Sequence, residues 1–150
     1  MKAKKLLLQA VALHEKGDIQ GAEKAYRRAI AADSTFDEAY VNYGYLLEDM
    51  NRYKDAEWAY RRAIECNPRC AEAHTGLGAI YHSRRELSEA VREFRAAVEA
   101  DPSYIDAWIN LGTCLIDMGR FPEAKSTFQE ALNHTNDPEK VKLIRSKLVF

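Results

Sequence analysis

The donors best spaced to share a metal ion are Cys66, Cys70 and His74, which follow one another at intervals of four across Asn67-Pro68. Thiol and imidazole ligands suit zinc, but a closed structural site takes four ligands and no further Cys or His adjoins these three. Packing between neighbouring elements is therefore their expected role, and no metal or other cofactor is expected in the chain. His14 and His82 recur in the same local setting, each directly after a bulky side chain, Leu13 or Tyr81. They read either as a pH-sensitive pair or as exposed, ordinary imidazoles, and the second reading is adopted. Arg27, Arg28, Arg61, Arg62, Arg92 and Arg95 recur as a basic stripe that a phosphate- or membrane-contacting face would use. Glu23 precedes Arg27 by one helical turn, and Glu57 precedes Arg61 by the same interval. That is the pattern of a solvated helix with ion pairs worth about 0.2–0.5 kcal/mol each, and it is preferred. No glycine-rich phosphate loop, Gly-x-Ser-x-Gly elbow or His-Glu-x-x-His is present. Nucleophile, base and cofactor site are not supplied together, so a non-catalytic protein is expected.

Composition narrows the class. The 150 residues hold 22 Lys and Arg against 23 Asp and Glu, a net charge of −1 that gives no basic excess for phosphate neutralisation, so no nucleic-acid partner is expected. With 47% hydrophobic and 30% charged residues the chain is too apolar for disorder, and no apolar run reaches the length of a membrane span. Three cysteines, an odd number in a chain of this size, argue against a disulfide framework and for a reducing cytoplasm. The start, Met1-Lys2-Ala3-Lys4-Lys5 followed by apolar residues up to Leu13, has the look of a signal peptide. It leads directly into His14-Glu15-Lys16-Gly17, and a repeat explains its spacing, so it is read as part of the fold. Seven glycines and four prolines are too few for a many-turned β protein.

The elements that must position any site come from a period. Tyr26, Tyr60, Phe94 and Phe128 recur at a constant interval of 34, each preceded by Ala22, Ala56, Ala90 or Ala124 and followed by Ala29, Ala63, Ala97 or Ala131. A second set, Ala10, Gly44, Gly78 and Gly112, is followed at a fixed short distance by Leu13, Leu47, Tyr81 and Leu115. Apolar positions from Ala22 to Ile30 fall at i, i+3, i+4, i+7 and i+8, one stripe of a helix. Breakers at Gly17-Asp18, Asn51-Arg52, Arg85-Glu86 and Gly119-Arg120 separate two helices within each unit. Asp33-Ser34, Asn67-Pro68 and Asp101-Pro102 separate the units, and these are expected to stop one helix and cap the next.

This pattern resembles the tetratricopeptide repeat, whose motif runs Trp-x2-Leu-Gly-x2-Tyr, Ala-x3-Phe, Pro with the same period. The fourth unit carries Trp108, Leu111, Gly112, Leu115, Ala124 and Phe128; the third carries His74, Leu77, Gly78, Tyr81, Ala90, Phe94 and Pro102; the second carries Tyr40, Tyr43, Gly44, Leu47, Ala56, Tyr60 and Pro68. The first departs most, with Leu6, Gln9, Ala10 and Leu13, then Ala22, Tyr26 and Ser34. The expected fold is all-α, a right-handed α-solenoid of antiparallel helix pairs forming one domain. Repeats are placed at 3–36, 37–70, 71–104 and 105–138, with a capping helix over about 138–150 that turns Val141, Ile144 and Leu148 inward.

The resemblance implies a concave groove, lined by the first helices, that grips a segment of another protein. Carried onto this sequence, its lining includes Leu7, Val11, Glu38, Val41, Asn42, Tyr45, Asp49, Glu72, Thr75, Ala79, Asp106, Ile109, Asn110, Thr113, Ile116 and Asp117. The clamp by which related proteins hold a heat-shock chaperone's terminal carboxylate is absent, since its positions read Leu7, Val11, Asn42, Glu72 and Gly76. Lys4, His14, Glu15 and Glu48 also line it, so seven carboxylates oppose Lys4 alone, which favours a basic or amphipathic partner. Asn42 and Asn110 share the repeat position where relatives pair with peptide backbone, although each also reads as a solvated polar residue. Small residues at Thr75, Gly76 and Ala79 predict a depression for one bulky ligand side chain. The function expected is an adaptor. The alternative is a self-assembly element, in which Leu7, Leu8, Val11 and Phe150 bury against a second copy or the chain forms part of a larger repeat protein.

Overall fold

The computed structural model describes residues 1–150 as nine α-helices, without strands. The chain divides into two compact units, Met1–Ala73 and His74–Phe150. The first holds α1 (Lys2–Glu15), α2 (Ile19–Ala32), α3 (Asp37–Asp49), α4 (Tyr53–Cys66) and the start of α5 (Ala71–Ser83). The second holds the rest of α5, α6 (Leu87–Ala100), α7 (Ile105–Asp117), α8 (Phe121–Asn133) and α9 (Pro138–Lys147).

Each first helix turns back on its second helix through a tight loop. The residue at the bend has positive φ in all four loops: Gly17 (84°), Asn51 (57°), Arg85 (63°) and Gly119 (73°). One pair of hydrogen bonds accompanies it each time. Asp18 N–H reaches the Leu13 carbonyl at 2.9 Å and Gly17 N–H that of His14 at 3.0 Å, and the pairs closed by Arg52, Glu86 and Arg120 repeat the pattern. This is the Schellman closure, which satisfies carbonyls left open at a helix end.

The loops between pairs work differently from the sequence expectation. Asp33, Asn67 and Asp101 do end α2, α4 and α6 in extended conformation, but their side chains do not cap the next helix. Asp33 accepts from Thr35 N and Oγ1, Asn67 from Arg69 N, and Asp101 from Ser103 N and Oγ, so they brace the turn that follows. The residues that open α3 and α7 are Phe36 and Tyr104, neither of which gives a side-chain cap. Side-chain capping occurs at Asp18, which accepts from Gly21 N, and at Asp137, which accepts from Glu139 N.

The core explains the period. Tyr26, Tyr60, Phe94 and Phe128 are almost wholly buried. Each of the last three lies against the first-helix glycine of its own repeat. A Cβ on Gly44 would lie 2.5 Å from Tyr60 Cε1, on Gly78 2.7 Å from Phe94 Cε1, and on Gly112 2.5 Å from Phe128 Cζ. At the C-terminal end α9 inserts Ile144, which is fully buried, while Val141 and Leu148 are only half-buried. Phe150 folds back, its ring centroid 5.7 Å from that of Phe121.

Gly112→Ala is expected to lower stability by about 1–3 kcal/mol in urea unfolding, because the added methyl must displace the Phe128 ring. Arg85→Gly, which relieves left-handed backbone at an exposed turn, is expected to raise it by about 0.5–1 kcal/mol. An unchanged midpoint for Gly112→Ala would mean that the ring has room to move.

Candidate functional site

The face of the first helices is built differently at each repeat position. Leu7, Val41, Thr75 and Ile109 share one position, and their exposures of 3, 1, 7 and 8% place them inside the fold. They support the surface and offer a ligand little of it. In the first unit that surface consists of Val11, Asn42 and Tyr45, half-buried, with Glu38, Asp49 and Glu72 exposed. In the second it consists of Asn110, Thr113 and Ile116, half-buried, with Ala79, Asp106 and Asp117 exposed.

The carboxylates do not face Lys4 alone. Asp49 Oδ2 lies 2.6 Å from His14 Nε2, and Asp117 Oδ2 lies 2.6 Å from His82 Nε2 with Arg85 Nη1 at 3.6 Å. Asp106 meets Lys140 Nζ of α9 at 2.9 Å. His14 and His82 are therefore half-buried partners of an acid on the following first helix, where exposed imidazoles were expected. Helix-to-helix stacking sets each histidine beside a residue one repeat further along the chain, a relation that no spacing within one helix displays. Glu48 accepts a hydrogen bond from the Tyr60 hydroxyl, yet burial still pushes its carboxyl above the usual range, with a smaller push from Asp49. Tyr45 Oη approaches Glu72 Oε2 at 3.4 Å, and Asn42 Nδ2 donates to the Glu38 carbonyl at 2.9 Å, leaving one amide hydrogen and the side-chain oxygen of Asn42 beyond that bond.

The metal reading finds no support in geometry. His74 Nδ1 lies 2.7 Å from Glu93 Oε2, so that ring nitrogen already has a partner, and burial raises the Cys66 and Cys70 thiols above their ordinary pKa. No group of three or more His, Cys, Asp or Glu side chains converges on one point.

Arginines of the second helices hold their neighbouring acids, Arg27 to Glu23 at 3.0 Å and Arg61 to Glu57 at 3.1 Å. Glu23 does more than the local spacing announces. Its Oε1 also receives Arg52 Nη1 at 2.8 Å and the Tyr43 hydroxyl at 3.0 Å. Burial alone would raise this carboxyl, but the bonds from Arg52 and Tyr43 and the charges of Arg52 and Arg27 hold it below the usual carboxylate range. Arg52 and Tyr43 stand on the far side of a loop from Glu23, out of reach of any helical pattern.

The repeat register that these contacts obey matches the tetratricopeptide repeat family model over residues 5–37 and 41–105, and a second model of the same description over residues 81–148. The chain belongs to the tetratricopeptide repeat family. Solved structures agree in fold. One crystal structure of MamA is 21% identical, with a TM-score of 0.77, covering 97% of this chain and 82% of its own. Another MamA crystal structure is 22% identical with a TM-score of 0.75, covering 93% and 88%. PilF of Pseudomonas aeruginosa is 19% identical with a TM-score of 0.85, covering 99% and 68%. No curated protein sequence matches the chain. The likeness establishes an all-α solenoid of helix pairs. Tetratricopeptide repeat proteins are in general non-catalytic interaction modules, and a protein-interaction scaffold is the general function of this one. No helix is long and apolar enough to cross a membrane.

Glu23→Gln is expected to cost about 1–3 kcal/mol at neutral pH, where two guanidinium groups lose their shared anion. Because the folded-state pKa of Glu23 is depressed, its contribution is present above the ordinary value of 4.5 and is lost as pH falls through the folded value. Urea midpoints of the two proteins should therefore converge on acidification, and a gap that persists would assign the loss to shape instead of charge.

Proposed function

We propose that this tetratricopeptide protein, with repeats at 3–36, 37–70, 71–104 and 105–138 and a cap over 138–150, is a cytoplasmic adaptor whose first-helix faces bind a basic or amphipathic peptide. The supporting observation is one arrangement present in each unit. A half-buried asparagine stands among half-buried side chains of its own helix, Asn42 with Tyr45 and Asn110 with Thr113 and Ile116, at the edge of exposed carboxylates. An amide that can both donate and accept suits a peptide backbone, and the carboxylates suit Lys or Arg at either side. Glu38 and Glu72 are the acids best placed to receive such charges in the first unit, since Asp49 is already engaged by His14. Leu7, Val41, Thr75 and Ile109 act from beneath as packing. Ala79, exposed and small, leaves room for one bulky side chain of the ligand.

A second reading, self-association, has its own observation. Phe121, Pro122, Lys125 and Phe150 line a largely apolar hollow of about 610 Å³, and Leu8, Leu143 and Val149 are exposed. Leu7 is buried and takes no part in such a contact. Light scattering over a wide concentration range decides it: a mass that stays at one chain contradicts self-association.

Peptides selected on the purified protein should be rich in Lys or Arg and aliphatic residues. Their affinity should fall about tenfold or more on Asn42→Ala/Asn110→Ala, the loss expected for two backbone-pairing hydrogen bonds. Ala79→Leu should block them without loss of helicity. Binding insensitive to all three changes would move the site off the first helices.

A further inference from the structure

The two units carry the same pair of arginines in the same register, Arg27 with Arg52 in the first and, two repeats later, Arg95 with Arg120 in the second. In the first unit a carboxylate lies between them. Glu23 takes Arg27 at 3.0 Å, Arg52 at 2.8 Å and the Tyr43 hydroxyl at 3.0 Å, with its side chain 18% exposed. In the second unit the residue at the position of Glu23 is Val91 and that at the position of Tyr43 is Leu111, both buried. The arginines stay and their enclosed anion is missing.

What they hold instead is Glu123, on the exposed side. Arg120 reaches it through Nε at 2.7 Å and Nη2 at 2.6 Å, and Arg95 through Nη2 at 3.1 Å, with the Glu123 side chain 46% exposed. Its counterpart in the first unit is Asp55, which takes Arg52 at 2.8 Å in addition to the bond that Arg52 gives Glu23. Two carboxylates thus serve two arginines in the first unit, and one serves two in the second. Beside Val91 the surface opens into a hollow of about 510 Å³. Val91, Ala96 and Met118 supply its apolar lining, and Arg92, Arg95 and Arg120 its basic lining, against the single acid Glu99.

We infer that this hollow docks an acidic peptide segment of a partner protein. An Asp or Glu side chain of the partner occupies the place between Arg95 and Arg120 that Glu23 occupies between Arg27 and Arg52, and an adjacent aliphatic side chain covers Ala96 and Met118. The first unit shows that this pair of guanidinium groups accommodates a half-sheltered carboxylate in the ionised state, since Glu23 is held below the usual carboxylate range despite its burial. Each guanidinium has five donors, so Arg95 and Arg120 can retain Glu123 while receiving a second anion. Peptide is favoured over a bare anion because the aliphatic part of the lining gains by being covered. The site lies on α6 and the turn into α8, apart from the first-helix faces, and stands whether or not those faces bind a basic peptide.

The test is an NMR titration of the full chain that follows the arginine Nε–Hε signals. The probe is acetyl-Leu-Glu-Leu-amide, compared with its Gln counterpart and with inorganic phosphate. The Glu peptide should shift the Arg95 and Arg120 signals saturably, and the Gln peptide should bind about tenfold more weakly or worse, as expected on loss of a charge-assisted pair. Val91→Glu writes the first unit's residue into the second. It should move both signals without peptide and abolish the response. Arg120→Gln, at a surface position, gives an independent readout and should weaken the Glu peptide about tenfold. The proposal is overturned by equal response to the Glu and Gln peptides, by no saturable shift at Arg95 and Arg120, by an undiminished response in Arg120→Gln, or by phosphate binding more tightly than the Glu peptide.

Discussion

An aromatic ring pressed against a stretch of helix that carries no side chain sets the geometry of the last three repeats. Tyr60, Phe94 and Phe128 fill the space beside Gly44, Gly78 and Gly112 so closely that an added methyl would fall within 2.5 to 2.7 Å of a ring carbon. In the first repeat Ala10 and Tyr26, both buried, hold the corresponding places. Because interiors are packed to crystal-like density, this approach fixes how each first helix lies on its second helix, and hence which of its residues face outward. Leu7, Val41, Thr75 and Ile109 are drawn inside by it, and Asn42 and Asn110 are left at the margin.

The ring also dictates polar chemistry nearby. A buried tyrosine brings a hydroxyl that needs a partner, and a phenylalanine does not. The residue at the matching place near the end of the first helix follows that distinction in three of the four repeats. The Tyr26 hydroxyl finds His14 Nδ1 at 3.4 Å and the Tyr60 hydroxyl finds the Glu48 carboxylate, whereas Phe128 has the apolar Ile116 at the same position. The counterpart for Phe94 is His82, which turns to Asp117. Burial and the negative charges of Glu15 and Asp49 push the Tyr26 phenol up to about 12, so it remains a hydrogen-bonding group at any ordinary pH. His14 and Glu48, which a reading of the groove alone would assign to a ligand, are thus partly occupied in satisfying the core.

Elements and periods were legible in the sequence because they depend on residues close in the chain. The evenly spaced rings, the loops at Gly17, Asn51, Arg85 and Gly119, and the inward side of α9 at Ile144 all follow from helical periodicity and turn chemistry. Two things were not legible. Asp33, Asn67 and Asp101 have the side chains of helix caps, but their positions place them on the turn, and only coordinates distinguish the two uses of the same oxygen. Charge pairing was the second. His14 with Asp49, His82 with Asp117, Asp106 with Lys140 and Arg52 with Glu23 all join residues from different elements, far apart in the chain. On the first-helix face this leaves Lys140 beside Asp106 and Arg85 beside Asp117, two positive charges that no spacing within one helix displays. Val91 stands at the repeat position of Glu23, a difference whose meaning follows from the Glu23 contacts.

If each repeat is held by its own ring, damage to one ring should stay local, as nearest-neighbour stabilisation of a repeat protein requires. Native-state amide hydrogen exchange on Phe128→Ala measures this directly. Protection should fall in α7, α8 and α9 while α1 and α2 keep their wild-type protection. An equal loss in all nine helices would show a single cooperative core and contradict the account.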